Sequence, residues 1–157
     1  MTDVSSDMLK TAKVAAIAAT NSGKYHPDLA MGSFQIGTVQ PVLDVNSTPQ
    51  HLAVPVLQRS SIFGYFTCSL DGAITKFTAF CDTLSEIEAC PMAHLWMDQK
   101  SIVQTASQHF PTLQNIQQVF LSYDDHKNTL AWRVLGTDPT GTPMAIFVMG
   151  LVAYLAS

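Results

Sequence analysis

The dipeptide Asp71-Gly72 constrains the fold most, because it stands between two runs rich in aromatic and β-branched residues. The runs cover residues 61–70 and 73–80. An Asp-Gly pair between two such runs is a strong sequence signal for a β-hairpin. We therefore expect two antiparallel strands joined by a tight turn.

Further strands are expected on both sides of this hairpin. Residues 34–43 alternate apolar and polar side chains, and residues 52–57 contain Pro55, which favours an edge strand or a bent strand. Residues 143–155 are apolar on both faces, so we expect one long strand in the middle of a sheet. The other predicted strands cover 116–123 and 129–136.

Helical patterns alternate with these strands. Residues 6–20 are rich in alanine, with Ser6 or Asp7 as the expected N-cap and Gly23 as the expected C-cap. Two further helices are predicted over 81–89 and 92–109, with Pro91 between them.

The order of these elements predicts an α+β fold, an antiparallel meander sheet with helices packed on one face. A helix followed by three strands occurs twice, which suggests two helix-plus-three-strand repeats. We expect residues 1–157 to form a single domain, with a tandem repeat of 1–82 and 91–157 as the alternative.

Composition excludes several classes of protein. Of 157 residues, 47% are hydrophobic and 13% charged, and the net charge is −4. Disorder and a coiled coil would need more charge, and a nucleic-acid partner would need a basic face. Because few charges are available to cover the surface, we also expect a homodimer formed through a sheet face or edge.

The location of the protein is inferred from its ends and its cysteines. The longest apolar run covers thirteen residues, 144–156, whereas a membrane helix needs about 20, so no membrane partner is expected. The N-terminus lacks a secretory pattern. Together with the odd number of cysteines, this favours free thiols and a cytoplasmic protein, or an exported one if a leader has been removed.

The strand Leu130-Ala131-Trp132-Arg133-Val134, which follows a charged turn, resembles a strand of thermolysin-type propeptides. The Asp-Gly hairpin is similar to the pro-region and small inhibitors of streptopain-type cysteine proteases. The chain thus resembles PepSY and cystatin-like propeptide domains over residues 50–80 and 100–150. This resemblance implies a protein partner, with a cysteine protease as the candidate.

Two groups of polar residues are candidate sites. Cys90 and His94 would share one face of a helix, where they could bind a metal or act as a nucleophilic pair, but no further ligand is spaced nearby. Asp124-Asp125-His126 could bind a cation, but turn chemistry explains it better. We therefore predict no catalytic residue, no metal and no cofactor.

The preferred function is a non-enzymatic protein-interaction module, such as a protease inhibitor or a propeptide-like chaperone domain. Its predicted binding residues are Trp96, Trp132, Arg59 and Tyr65. The alternative is a small α+β barrel that binds a hydrophobic small molecule, with or without enzymatic activity. Its pocket would be lined by Phe34, Phe63, Phe66, Phe77, Met97, Phe147 and Met149, with polar function supplied by Asp82, Cys90, His94 or His109.

Overall fold

The chain forms two compact units in a computed structural model. Unit 1 comprises Met1–Val42 and Thr48–Ala93, and unit 2 comprises Leu43–Ser47 and His94–Ser157. Helices and antiparallel strands occur in both units, which confirms the α+β class. The predictions of one domain or of a tandem repeat stay predictions. The structure describes residues 5–30, 34–80, 92–93, 96, 98–127, 129–149 and 152–156.

Unit 1 begins with helix α1, Ser6–Ser22, which confirms the predicted helix. Its N-cap is Ser5 rather than Ser6 or Asp7, and the Ser5 hydroxyl accepts a hydrogen bond from the Met8 backbone N–H at 3.2 Å. The helix ends at Gly23, whose φ of +69° lies in the left-handed region that glycine adopts without strain. A short 3-10 turn, Pro27–Ala30, follows.

Five strands follow in the order of the chain: β1 Gln35–Ile36, β2 Gln40–Leu43, β3 Pro49–Gln58, β4 Ser61–Cys68 and β5 Ile74–Ala79. The predicted hairpin is confirmed, since β4 pairs antiparallel with β5 and Gly72 turns the chain at φ +93°. The predicted single strand 34–43 is wrong, because β1 and β2 are separate. The edge position predicted for Pro55 is also wrong, because β3 pairs with β4 on one side and with β1 on the other. Pro55 is accommodated next to a register shift between Val56 and Leu57.

The core of unit 1 lies between α1 and the strands. The helix contributes small buried side chains, Ala12, Ala16 and Ala19, and it packs against β1, β3 and β5. Small residues on this face allow the helix backbone to approach the sheet closely. The strands contribute Phe63 and Phe66, whose side chains are fully buried.

Unit 2 contains helix α2, Gln99–His109, whose N-cap Asp98 accepts a hydrogen bond from the Lys100 backbone N–H at 3.3 Å. The predicted continuous helix 92–109 is therefore wrong, because Asp98 is not helical, although Ala93 and Trp96 before it are. Met92 instead forms an isolated bridge with Ser61. The predicted helix 81–89 lies outside the described residues. No helix among those described is long and apolar enough to cross a membrane.

Four antiparallel strands follow α2 as a meander in the order β6-β7-β8-β9. The first two confirm the predicted strands 116–123 and 129–136. The predicted single strand 143–155 is wrong, because the run forms two strands, β8 and β9, that pair with each other. Of these two strands, β8 lies between β7 and β9, whereas β9 pairs with β8 alone among the described strands. The bounds are β6 Gln114–Asp124, β7 Thr129–Thr137, β8 Pro143–Met149 and β9 Val152–Leu155.

Candidate functional site

Strand β9 forms the outer edge of the sheet in unit 2. It pairs with β8 on one side, and no other described strand pairs with its second side. Val152 and Leu155 are 55% and 59% exposed, and the strand contains neither a charged residue nor proline. An edge of this kind is a template for pairing with another strand.

The backbone groups of β9 alternate in direction. The Ala156 N–H donates to the Ala145 carbonyl oxygen at 2.9 Å, so the backbone of Ala156 faces β8. In an antiparallel pair, alternate residues direct both backbone groups to the partner strand. Tyr154 therefore faces β8, and Ala153 and Leu155 point their N–H and C=O groups away from it. Leu155 is exposed and can hydrogen-bond an added strand, whereas Ala153 is only 9% exposed.

A buried carboxylate lies beneath this edge. Asp124, at the end of β6, is 3% exposed. Its Oδ2 accepts a hydrogen bond from the Tyr154 hydroxyl at 2.7 Å, and its Oδ1 accepts from the backbone N–H groups of His126 at 3.0 Å and Lys127 at 3.4 Å. These bonds tie β9 to the turn between β6 and β7.

The same contacts set the protonation states of this pair. Burial raises the pKa of Asp124, but the hydrogen bonds from Tyr154 and the two backbone N–H groups lower it by more, so the pKa lies below its ordinary value. Burial and the Asp124 carboxylate raise the pKa of Tyr154 well above its ordinary value. At neutral pH the carboxylate is therefore charged and the phenol keeps its proton.

Two cations and two aromatic rings form a row across three strands, which we call the cation–aromatic ladder. Lys127 Nζ lies 3.8 Å from the centroid of the Tyr154 ring, and this ring lies 5.7 Å from the ring of Phe147. Arg133 Cζ lies 5.3 Å from the Phe147 centroid. The strand register produces this row, since Arg133 is opposite Phe147 and Phe147 is opposite Tyr154.

Arg133 is the least satisfied polar group of the ladder. Its Nε–H is buried and has no hydrogen-bond acceptor. Its contact with the face of the Phe147 ring is electrostatic and leaves the N–H donors of the guanidinium unused. A partly buried arginine is normally paired with an anion.

The two predicted tryptophans lie together in unit 2, but both are buried. Trp96 is 6% exposed and Trp132 is 2% exposed. The Trp132 indole N–H donates to the Trp96 carbonyl oxygen. Their role in binding stays a prediction. Because both side chains are buried, they offer almost no area for direct contact with a partner.

The other two predicted binding residues lie in unit 1. Tyr65, in the middle of β4, is 6% exposed, and its ring centroid is 5.5 Å from that of Phe80. Arg59 is exposed in the turn between β3 and β4, where its φ is +57°. Of the four residues, Arg59 alone presents its side chain to solvent.

No family model, curated protein or solved structure matches this chain. The resemblance to PepSY and cystatin-like propeptide domains therefore stays a prediction, and so does the cysteine-protease partner that it implies.

The candidate metal and nucleophile groups have different outcomes. Asp124 accepts hydrogen bonds from the turn that follows it, which confirms the turn role of the Asp124-Asp125-His126 group. Cys90 and His94 lie outside the described residues. Within the described part of the chain, no three His, Cys, Asp or Glu side chains are arranged to hold a metal ion.

The aromatic side chains predicted to line a pocket instead pack against one another in unit 1. The ring centroids of Phe66 and Phe77 are 4.9 Å apart, and those of Phe63 and Phe77 are 6.1 Å apart. Phe34 also packs against Phe63, with ring centroids 5.5 Å apart, and it borders an open cleft of about 250 Å³ between α1 and β1. The residues that line the cleft are Lys13, Ile17, Thr20, Asn21, Phe34 and Ile36.

The remaining predicted pocket residues do not join this cleft. Phe147 belongs to the cation–aromatic ladder, and the sulfur of Met149 lies 3.7 Å from the Tyr154 hydroxyl oxygen. The ring Nδ1 of His109 lies 3.1 Å from the Thr105 carbonyl oxygen within helix α2. Asp82 and Met97 lie outside the described residues.

The sequence reasoning missed the β9 edge and the ladder, although two signals were present. Gly150 is the one glycine in the final apolar run, and a glycine inside a strand pattern often marks a break. Arg133 is the one charged residue in β7. A lone charge in an otherwise apolar strand is a candidate for a specific partner.

Proposed function

We propose that this protein is a non-enzymatic interaction module that binds an extended segment of a partner protein along strand β9. The observation that supports this most is the exposed apolar side chains of Val152 and Leu155, together with the outward backbone groups of Leu155. In strand addition, main-chain hydrogen bonds provide affinity, and the alternating side chains provide specificity.

The composition of β9 is that of a strand that pairs with a partner rather than that of a protected sheet edge. Natural sheet edges usually carry lysine, proline or a bulge that prevents pairing with other chains. Strand β9 has no lysine or proline, and it pairs with β8 without a register shift. Val152 and Leu155 project to opposite faces of the sheet, so an added strand would cover one on each face.

A matched pair of variants at one position tests this proposal. Leu155→Pro removes the outward N–H and leaves the hydrogen bonds between β9 and β8, whereas Leu155→Ala shortens the side chain and keeps the N–H. Peptides would be selected from a displayed library on the immobilised protein and measured against both variants. We expect Leu155→Pro to weaken binding by about tenfold and Leu155→Ala to weaken it much less.

Two results would contradict the proposal. One is a library that yields no binder above background. The other is a set of binders that tolerate Leu155→Pro, with circular dichroism showing that the variant is folded. Amide hydrogen exchange provides a second measurement, since a bound strand should protect the exposed Leu155 amide and leave the Tyr154 amide, which faces β8, unchanged.

The protease-inhibitor form of this proposal rests on the family resemblance, whereas the repeats and the helices on one face rest on the predicted order of the elements. Size-exclusion chromatography with light scattering, with and without a streptopain-type cysteine protease, tests it. A stable complex with loss of peptidase activity supports an inhibitor, and the absence of both overturns that form. A mass of twice 17.1 kDa for the protein alone would instead identify a second copy as the occupant of the edge.

The cleft in unit 1 supports the second candidate function, binding of a hydrophobic small molecule. Its apolar walls and the Lys13 ammonium suit an amphiphilic anion. The fluorescent probe anilinonaphthalene sulfonate tests this, with Ile17→Ser as the cleft variant and Val14→Ser as the control, since both side chains are exposed on α1. Equal probe fluorescence in the two variants would remove this candidate.

A further inference from the structure

Arg133 lies in the middle of β7, where the strand places its guanidinium over the ring of Phe147. The side chain is partly exposed, its Nε–H is buried without an acceptor, and no described carboxylate forms an ion pair with it. Asp124, the carboxylate bonded to Tyr154 of the ladder, is already occupied by Tyr154 and by two backbone N–H groups. The guanidinium therefore keeps its hydrogen-bonding capacity for a group from outside.

We propose that Arg133 is the anchor of a carboxylate-binding site on unit 2, separate from the backbone edge of β9. A guanidinium presents a planar set of N–H donors that matches the two oxygens of a carboxylate. The carboxylate would pair with the terminal NH2 groups of the guanidinium, because the Nε–H is buried. The interaction would gain strength from its apolar surroundings, since Phe147 lies beneath the guanidinium and Leu135 follows on the same face of β7.

The arrangement of charges favours a carboxylate over a phosphate. A phosphate dianion is best held by several converging cations, but Lys127 lies at the other end of the ladder, beyond the rings of Phe147 and Tyr154. One arginine therefore acts on its own. The ligand chemistry is a single carboxylate, from a free organic acid or from an acidic side chain of a protein.

The number of arginines in the chain makes a direct test possible. The sequence contains two, Arg59 and Arg133, so the nitrogen-15 spectrum of arginine Nε–H groups contains two signals. Arg59→Lys and Arg133→Lys assign them, and each assignment stands even if the other variant fails to fold. Acetate is titrated into the folded protein, with sodium chloride at the same ionic strength as the control.

We expect the Arg133 signal to shift and saturate, with half-saturation on the order of 10 mM for one charge-assisted pair. The Arg59 signal should follow the chloride control. A linear shift of both signals, or equal shifts in acetate and chloride, would show ionic screening only and overturn the proposal. The absence of any acetate-dependent shift at Arg133 would overturn it as well.

Two further arms identify the source of the carboxylate and separate this site from the β9 edge. A blocked Ala-Glu-Ala peptide is compared with its Gln counterpart. Saturation about tenfold below the acetate concentration assigns the site to an acidic protein side chain, and equal concentrations assign it to a free acid. Leu155→Pro should leave the acetate response of Arg133 unchanged, so failure at the edge and failure at this site are distinguishable.

Discussion

Replacing Tyr154 with phenylalanine tests whether the hydroxyl of Tyr154 stabilises the charged form of Asp124. The change removes one oxygen atom and the hydrogen bond of 2.7 Å to Asp124 Oδ2. The phenyl ring can still contact Phe147 and the Lys127 ammonium. The variant thus isolates the hydrogen bond from the packing of the ladder.

The size of the effect follows from the charge on the acceptor. Hydrogen bonds to charged groups contribute about 1.5–3 kcal/mol, and neutral ones about 0.5–1.5 kcal/mol. Because Tyr154 is partly exposed and water can replace part of the bond, we expect Tyr154→Phe to lower the free energy of unfolding by about 1.5–2 kcal/mol at neutral pH.

The pH dependence gives a second, independent expectation. Because the pKa of Asp124 is lowered in the folded state, its charged form adds stability above the unfolded-state pKa of about 3.8, and this stability is lost as the pH falls through the folded pKa. Tyr154→Phe removes one of the bonds that lower the pKa and leaves the burial that raises it. The difference between wild type and variant should therefore shrink to less than about 1 kcal/mol in acid.

Urea unfolding followed by fluorescence, at about pH 7 and about pH 2.5, measures both differences, and Asp124→Asn completes a double-mutant cycle. A loss that is the same at both pH values would refute the charged hydrogen bond. A cycle with zero coupling between Tyr154 and Asp124 would refute the pairing itself.

Three further predictions concern the cores of the two units. Gly64→Ala would place Cβ 2.4 Å from the Thr78 carbonyl oxygen, so we expect a loss of about 3 kcal/mol in urea unfolding, and a loss under about 1 kcal/mol would contradict this close approach. Trp132→Phe removes the indole N–H that donates to the buried Trp96 carbonyl, and should cost about 1 kcal/mol in thermal unfolding; an unchanged melting temperature would argue against the bond. Burial raises the pKa of the Cys68 thiol to about 11, so site-resolved mass spectrometry should find it alkylated in urea and protected in the native state; equal rates in both conditions would show that the thiol is accessible.

Local signals predicted the elements that depend on local chemistry. Helix α1 ends at Gly23 and the β4–β5 hairpin turns at Gly72, because both positions need a positive φ. The prediction of an edge strand at Pro55 was wrong, although proline, which has no N–H, is usually excluded from strands that have neighbours on both sides. In β3 the Pro55 carbonyl accepts a hydrogen bond from the Gly37 N–H at 2.9 Å, so the proline still contributes to pairing on that side.

The candidate site was harder to predict because it depends on register between strands. Arg133, Phe147 and Tyr154 are far apart in sequence, and only the pairing of β7, β8 and β9 brings them into one row. The buried positions of Trp96 and Trp132 have a similar origin. Tryptophan is enriched in protein–protein interfaces, which favoured these two residues as binding residues. Whether each ring is exposed, however, depends on which residues of the fold pack against it.

The short segment Leu43–Ser47 belongs to unit 2, although the chain before and after it belongs to unit 1. The Ser122 hydroxyl donates to the Leu43 carbonyl oxygen at 2.7 Å across 79 positions of sequence. A fragment cut at residue 94 would thus leave the buried Ser122 hydroxyl without this acceptor. During synthesis, residues 43–47 leave the ribosome well before β6, and β9 emerges after the other described strands. The second unit can therefore be completed only after β9 has emerged, with the exposed edge of β9 as its final piece.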